Sequence, residues 1–269
     1  MTFATTQRRS EESRISPVFW VLLATLVTSA WAVVSGFGNP RFGVFLFVVA
    51  GWMVSLCLHE YAHARTALHS GDITIGAKGY LTLNPFKYAH ALLSFVLPVI
   101  FVIMGGIGLP GGAVYIERHR INGRLKHSLI SAAGPLVNVV IGIGLLVLVS
   151  SGAFDDPAHP AVLDGRELIV SAFPAALGFL AFLQVSAALL NLLPVPGLDG
   201  YGIVEPWLSL KTRRAIEPFA PYGMLAVFVI FWQTAASHWF SQLVFAITDL
   251  FGVSQAYPVV GQFLFRFWE

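Results

Sequence analysis

Apolar residues in this chain come in runs too long to be single faces of soluble helices, and polar residues are confined mostly to the gaps between runs. The first run covers about residues 17–35, and a second extends from Phe42 to near Leu68 after a short turn at 36–41. Residues 42–58, FGVFLFVVAGWMVSLCL, carry no charge at all. Further runs occupy 90–107, 127–150, 167–190 and about 222–236. Roughly 17–25 apolar residues suffice for a helix to cross a bilayer, so the pattern predicts an all-α polytopic membrane protein with about five to six transmembrane helices. Between the second and third runs lies GDITIGAKGYLTLNP, 71–85, rich in Gly, Thr and Ile and closed by Asn-Pro. Its partial alternation predicts two short membrane-associated β strands with tight turns. The tail, 239–269, mixes aromatic and polar residues and reads as a surface or re-entering segment. Neither an internal repeat nor a low-complexity linker interrupts the chain.

Composition agrees with that reading. Hydrophobic residues make up 56% of the 269 and charged residues only 11%, where soluble domains carry about 25% charged. A net charge of +2 gives no footprint for nucleic acid. The single cysteine, Cys57, excludes an internal disulfide.

Charge also sets an orientation. Arg8, Arg9 and Arg14 precede the first run, which predicts a cytoplasmic N-terminal segment, 1–16. Ala30–Ala32 resembles a signal-peptide cleavage site, but Trp31 within it and the length of the run favour an uncleaved first helix. Glu11 and Glu12 follow Arg8-Arg9 too closely for a twin-arginine signal. The basic segments 117–126 and 211–214 are expected in the cytoplasm, and the acidic loop 153–167 outside. The scheme closes if 90–107 begins and ends on the inner side, as a re-entrant hairpin bent at Pro98.

The chemistry concentrates in LCLHEYAHA, 56–64, where His59, Glu60 and His63 interrupt a greasy helix. Bare polar groups at such depth are costly, so something must compensate them. Residues four apart share a helix face, and His59 and His63 can therefore point at one metal ion. Glu60, beside them, can activate a water on that ion, the arrangement of the HExxH zinc peptidase motif. HExxH also arises by chance, and two interfacial histidines bonded to carbonyls are the bland alternative. The placement of His59, about 25 Å along its helix from Arg41, weighs against that. Catalytic zinc takes three protein ligands and keeps one open position. His69 falls past the predicted helix end and reads as a surface histidine, and His90 is within reach in sequence terms. Asp199 is the best third ligand. It stands in NLLPVPGLDG, after a long apolar helix, among Pro194, Pro196, Gly197 and Gly200. Asp-Gly is also an ordinary turn dipeptide. A carboxylate beside hydrocarbon, however, needs a partner.

With these residues in view, the chain resembles the site-2 protease family of intramembrane zinc metalloproteases. The resemblance runs from His59 through Gly200 and rests on HEYAH at 59–63, GDITIGAKGYLTLNP at 71–85, AAGPLVN at 132–138 and NLLPVPGLDG at 191–200, in the family's order. It implies one catalytic Zn2+ held by His59, His63 and Asp199, with Glu60 as catalytic base. It also implies that Asn138 lies near the zinc and hydrogen-bonds the substrate or the developing oxyanion, although Asn between membrane helices also serves as a plain interhelical bond. Gly134 and Pro135 are expected to permit close helix packing. The implied organisation is one membrane-embedded domain, 1–269, with a catalytic core at 42–200 and C-terminal helices at 201–269. No PDZ or nucleotide-sensing domain is expected. Implied partners are a transmembrane protein or peptide substrate and the lipid bilayer of a prokaryotic plasma membrane. The active site would face the cytoplasm, and a homo-oligomer is admitted. The strands at 71–85 and 113–116 are expected to pair with an unwound substrate.

Two departures touch local geometry. Tyr88, His90 and Ala91 stand where small family members have His and then Asp-Pro, and Tyr201 intervenes before Gly202. Two other classes compete, a transporter and a non-catalytic scaffold. A transporter would show two inverted halves, and none is found. A scaffold has no use for Glu60 beside a complete ligand set.

Overall fold

The computed structural model describes residues 14–88, 114–155, 160–163, 166–231 and 235–269. Its helices are α1 (Pro17–Ser35), α2 (Pro40–Ser70), α3 (Thr74–Ala77), α4 (Arg124–Ser150), α5 (Ala172–Asn191), α6 (Asp199–Val204), α7 (Leu210–Ile216), α8 (Ala220–Phe231), α9 (Ala235–Asp249) and α10 (Ala256–Phe265). A short hairpin, β1 (Pro160–Leu163) and β2 (Arg166–Ser171), precedes α5. Among the described residues, four helices are long and apolar enough to cross a membrane: α1, α2, α4 and α5. A bent pair, Leu210–Phe219 with Tyr222–Phe231 at 62°, would be a fifth if it counts as one span. The protein is thus a mostly helical polytopic membrane protein. The segment 90–107, expected to re-enter, lies outside the described residues.

The helix boundaries follow from local chemistry. Ser16 caps α1 by accepting from Val18 N–H, and Pro17 opens it. Asn39 caps α2 through Arg41 and Phe42 N–H, with Pro40 at its first position. Both are ordinary N-terminal signals. The 31 residues of α2 make it about 46 Å long, well beyond the ~30 Å of bilayer hydrocarbon. His59 comes about 28 Å from its start, close to the thickness of that slab.

Burial ranks the helices. α5 is the central one, with 89% of its spanning window buried, and it packs on α2, α4 and α10. α1 is peripheral, with 17% buried, and lies against α2. Phe47, Phe173, Phe179, Leu183 and Phe265 form the middle of the main core. Close approach uses small residues, as membrane helices commonly do. Gly51 receives Leu180, and Gly261 sits against the Ala175 carbonyl.

Two expectations need correction. The stretch 71–85 holds no strand. It forms α3 and two 3-10 turns, Tyr80–Thr82 and Pro85–Lys87. Asp72 accepts from both the N–H and the hydroxyl of Thr74, a local bond that competes with strand pairing. Gly71, Gly79 and Leu83 also take positive φ, which an extended strand cannot contain. The observed strands instead lie in what reads as an acidic loop, and α5 accordingly begins at Ala172 rather than near 167.

Candidate metal centre

α2 presents His59 and His63 one turn apart, both buried, toward α4. Their Nε2 atoms stand 3.1 Å from each other. Asp199, first residue of α6, completes the group: Oδ2 lies 3.3 Å from His59 Nε2, and Oδ1 lies 3.3 Å from His63 Nε2. These three residues are the described group able to hold a metal ion. Zinc bonded tetrahedrally at about 2.0–2.1 Å would set its ligand atoms about 3.3 Å apart, and the three observed edges match that figure. Two imidazole nitrogens facing each other also need a cation or a proton between them. The other face of each ring is fixed. His59 Nδ1 is 2.5 Å from Asn138 Oδ1, and His63 Nδ1 is 2.6 Å from the Ile130 carbonyl. Both acceptors hold a proton on Nδ1 and leave the Nε2 lone pair toward Asp199, the usual outer support of metal-binding histidines.

The local sequence explains each position. Gly134 faces the two rings, and a methyl there would overlap the Nε2 atoms of both His59 and His63. Pro135 has no N–H for the Ser131 carbonyl four residues before it, one residue after the Ile130 carbonyl that receives His63. After α5 the chain reverses through Gly197, at φ 92°. Gly200 then passes so close to the Leu192 carbonyl that a side chain has no room. This return brings Asp199 back to the histidines.

Glu60 is 2% exposed and borders the same cavity, with its carboxylate facing the Val114 backbone N–H. Its Oε2 has no hydrogen-bond partner. An orphaned carboxylate oxygen next to a ligand triad is what a metal-activated water would require. The cavity has a volume of about 880 Å3. His59, Glu60, His63 and Asp199 line it, and Arg118, His119, Arg213 and Arg214 also border it. Residues 114–117 also line it, and the strand expected at 113–116 is absent from the described part, 114–116, which has no regular structure. Glu117 N–H donates to Asp72 at 2.8 Å, and Lys78 donates to the Tyr115 carbonyl at 3.1 Å. Hydrogen bonds from Arg120, then Lys78, pull the Glu117 carboxyl down to about 2.

Of the residues singled out in the sequence, His59, Glu60, His63 and Asp199 come together. Asn138 stands beside His59 and outside the cavity lining, with its Oδ1 on the imidazole and its amide donating to Gln184. His69 points to its own helix, bonding the Arg65 carbonyl, and His90 is outside the described residues. Sequence reasoning missed Gln184 and Ser55. The signal was there, since a Gln amid an apolar spanning helix is itself unusual.

This chain is 44% identical over 260 residues to "Putative zinc metalloprotease Rip2" of Mycolicibacterium smegmatis, covering 95% of both chains. It is 41% identical over 263 residues to the protein of the same name from Mycobacterium tuberculosis H37Rv, covering 96% of both. It is 32% identical over 190 residues to "Putative zinc metalloprotease YwhC" of Bacillus subtilis, covering 69% of this chain and 80% of that one. No family model and no solved structure matches the chain.

Proposed function

This chain belongs to the site-2 protease-like family of zinc metalloproteases that includes Rip2 and YwhC, and we propose that it hydrolyses peptide bonds in or beside the transmembrane segments of other membrane proteins. The observation that carries this reading is the triangle of His59, His63 and Asp199, with zinc-like edges, lining a cavity beside the unpartnered Glu60 Oε2. A zinc ion held there would supply a Lewis acid that polarises a scissile carbonyl and acidifies a water. Glu60 would accept a proton from the attacking water as its oxygen bonds to the carbonyl carbon, and would return that proton to the amine nitrogen as the C–N bond breaks. Asn138 and the Ile130 carbonyl keep the two imidazoles aimed while this happens.

A transmembrane helix hides its peptide bonds in its own hydrogen bonds, so the substrate must unwind before it is cut. The wall at 114–117 supports a way to hold it. Its Tyr115 carbonyl and Glu117 N–H are tied to Lys78 and Asp72 and its Ile116 carbonyl to Arg118 N–H, and an unwound segment would take the Ile116 N–H by strand addition. The basic residues around the cavity, Arg118, Arg213 and Arg214, favour an opening on the cytoplasmic side. A purified, reconstituted preparation tests the whole reading. Cleavage of a membrane-embedded peptide should stop with a chelator and return with zinc. Cleavage indifferent to chelation would reject it.

A further inference from the structure

Gln184 sits in the centre of the bundle, in a helix whose preceding residues, 172–183, are all apolar, and its side chain is fully buried. A buried amide with unmet hydrogen bonds costs free energy, so its partners matter. Asn138 donates to its Oε1 at 3.1 Å, and its Nε2 donates to Ser55 Oγ at 2.8 Å. Ser55 in turn donates to the Trp52 carbonyl at 2.8 Å. With His59 at the other end, this is one continuous line of hydrogen bonds, from α2 through α4 and α5 and back to α2.

The line has a single direction. A backbone carbonyl only accepts, so the Ser55 proton goes to Trp52 and Ser55 Oγ must accept from Gln184. The Gln184 carbonyl then faces Asn138, which must donate its NH2. Asn138 Oδ1 is left toward His59, and His59 must carry its proton on Nδ1. We propose that Gln184 is a positioning residue of the metal centre. By fixing which end of the Asn138 amide faces His59, it keeps the Nε2 lone pair of His59 on the ligand side. The proposal rests on the metal reading above. A role limited to gluing α4 to α5 would also use these bonds, but it would leave metal affinity alone.

The test is zinc affinity of the full-length protein in detergent, read by competition with a zinc-binding dye. Gln184→Leu should weaken zinc binding roughly tenfold or more, as the loss of outer support commonly does. Ser55→Ala, which removes only the anchor, should also weaken it. Both losses should disappear, to within about threefold, in an Asn138→Asp background, because either carboxylate oxygen can accept from His59 whatever its orientation. Wild-type affinity in Gln184→Leu or Ser55→Ala, or equal losses with and without Asn138→Asp, would overturn the positioning role. If the wild-type protein itself binds no zinc, the metal reading fails and takes this one with it.

Discussion

Gly134 and His63 meet so closely across the α2–α4 contact that one methyl on the glycine would overlap the imidazole Nε2. The same methyl would strike His59. Neither ring can simply swing away, because Asn138 and the Ile130 carbonyl hold their far sides.

Gly134→Ala is therefore expected to act on the metal and not on the helix. Alanine is favoured over glycine inside a helix by about 1 kcal/mol, so α4 itself should not suffer. Zinc affinity should fall at least about tenfold, the scale set by disturbed ligand support. Dye competition on purified protein measures it, and affinity equal to wild type would show that the rings do not rest on α4.

Asp199→Ala should leave two imidazoles as the remaining protein ligands. Metal analysis of the purified variant should find well under one zinc per chain, and cleavage of a membrane-embedded substrate should be lost. A full complement of zinc in this variant would place the third ligand elsewhere, with His90 first to be examined.

Glu60→Gln separates holding the metal from using it. The side chain keeps its shape and loses its basicity, so zinc content should stay at the wild-type level. Cleavage should drop at least about 100-fold, the lower range for removal of a general base. Near-normal turnover in the variant would remove Glu60 from the mechanism.

Orientation is open to direct labelling. In a Cys57→Ser background, single cysteines replace His119, near the cavity, and Ser151, at the far end of α4. A membrane-impermeant thiol reagent should reach position 119 only in inverted vesicles and position 151 only in intact cells. The reverse pattern would put the metal centre on the outer side.

Much of this molecule can be read from the one-dimensional pattern. Helix-length apolar runs need no tertiary information, because the bilayer alone demands them. His59 and His63 sit four apart on one helix, so their shared face follows from helical geometry. Asp199 was legible too, by the cost of a carboxylate beside hydrocarbon and by the Pro and Gly residues around it. The stretch 71–85 misled for a local reason. Its apolar and polar residues alternate like a strand, but the Asp72 side chain binds the backbone of Thr74 and starts a turn instead.

What the fold alone decides is mutual position across helices. His59 lies 79 residues from Asn138, and Asn138 lies 46 from Gln184, yet their hydrogen bonds form one line. No periodicity within a helix encodes such a meeting. It follows from which faces of α2, α4 and α5 pack together, and from how closely Gly134 lets them approach. The sequence by itself determined that this chain crosses a membrane and carries two histidines on one helix face that could bind a metal ion with a carboxylate. Only the packed structure decided that Asn138 meets His59 and Gln184, because a side chain's partner in a buried interface is chosen by the neighbouring helix.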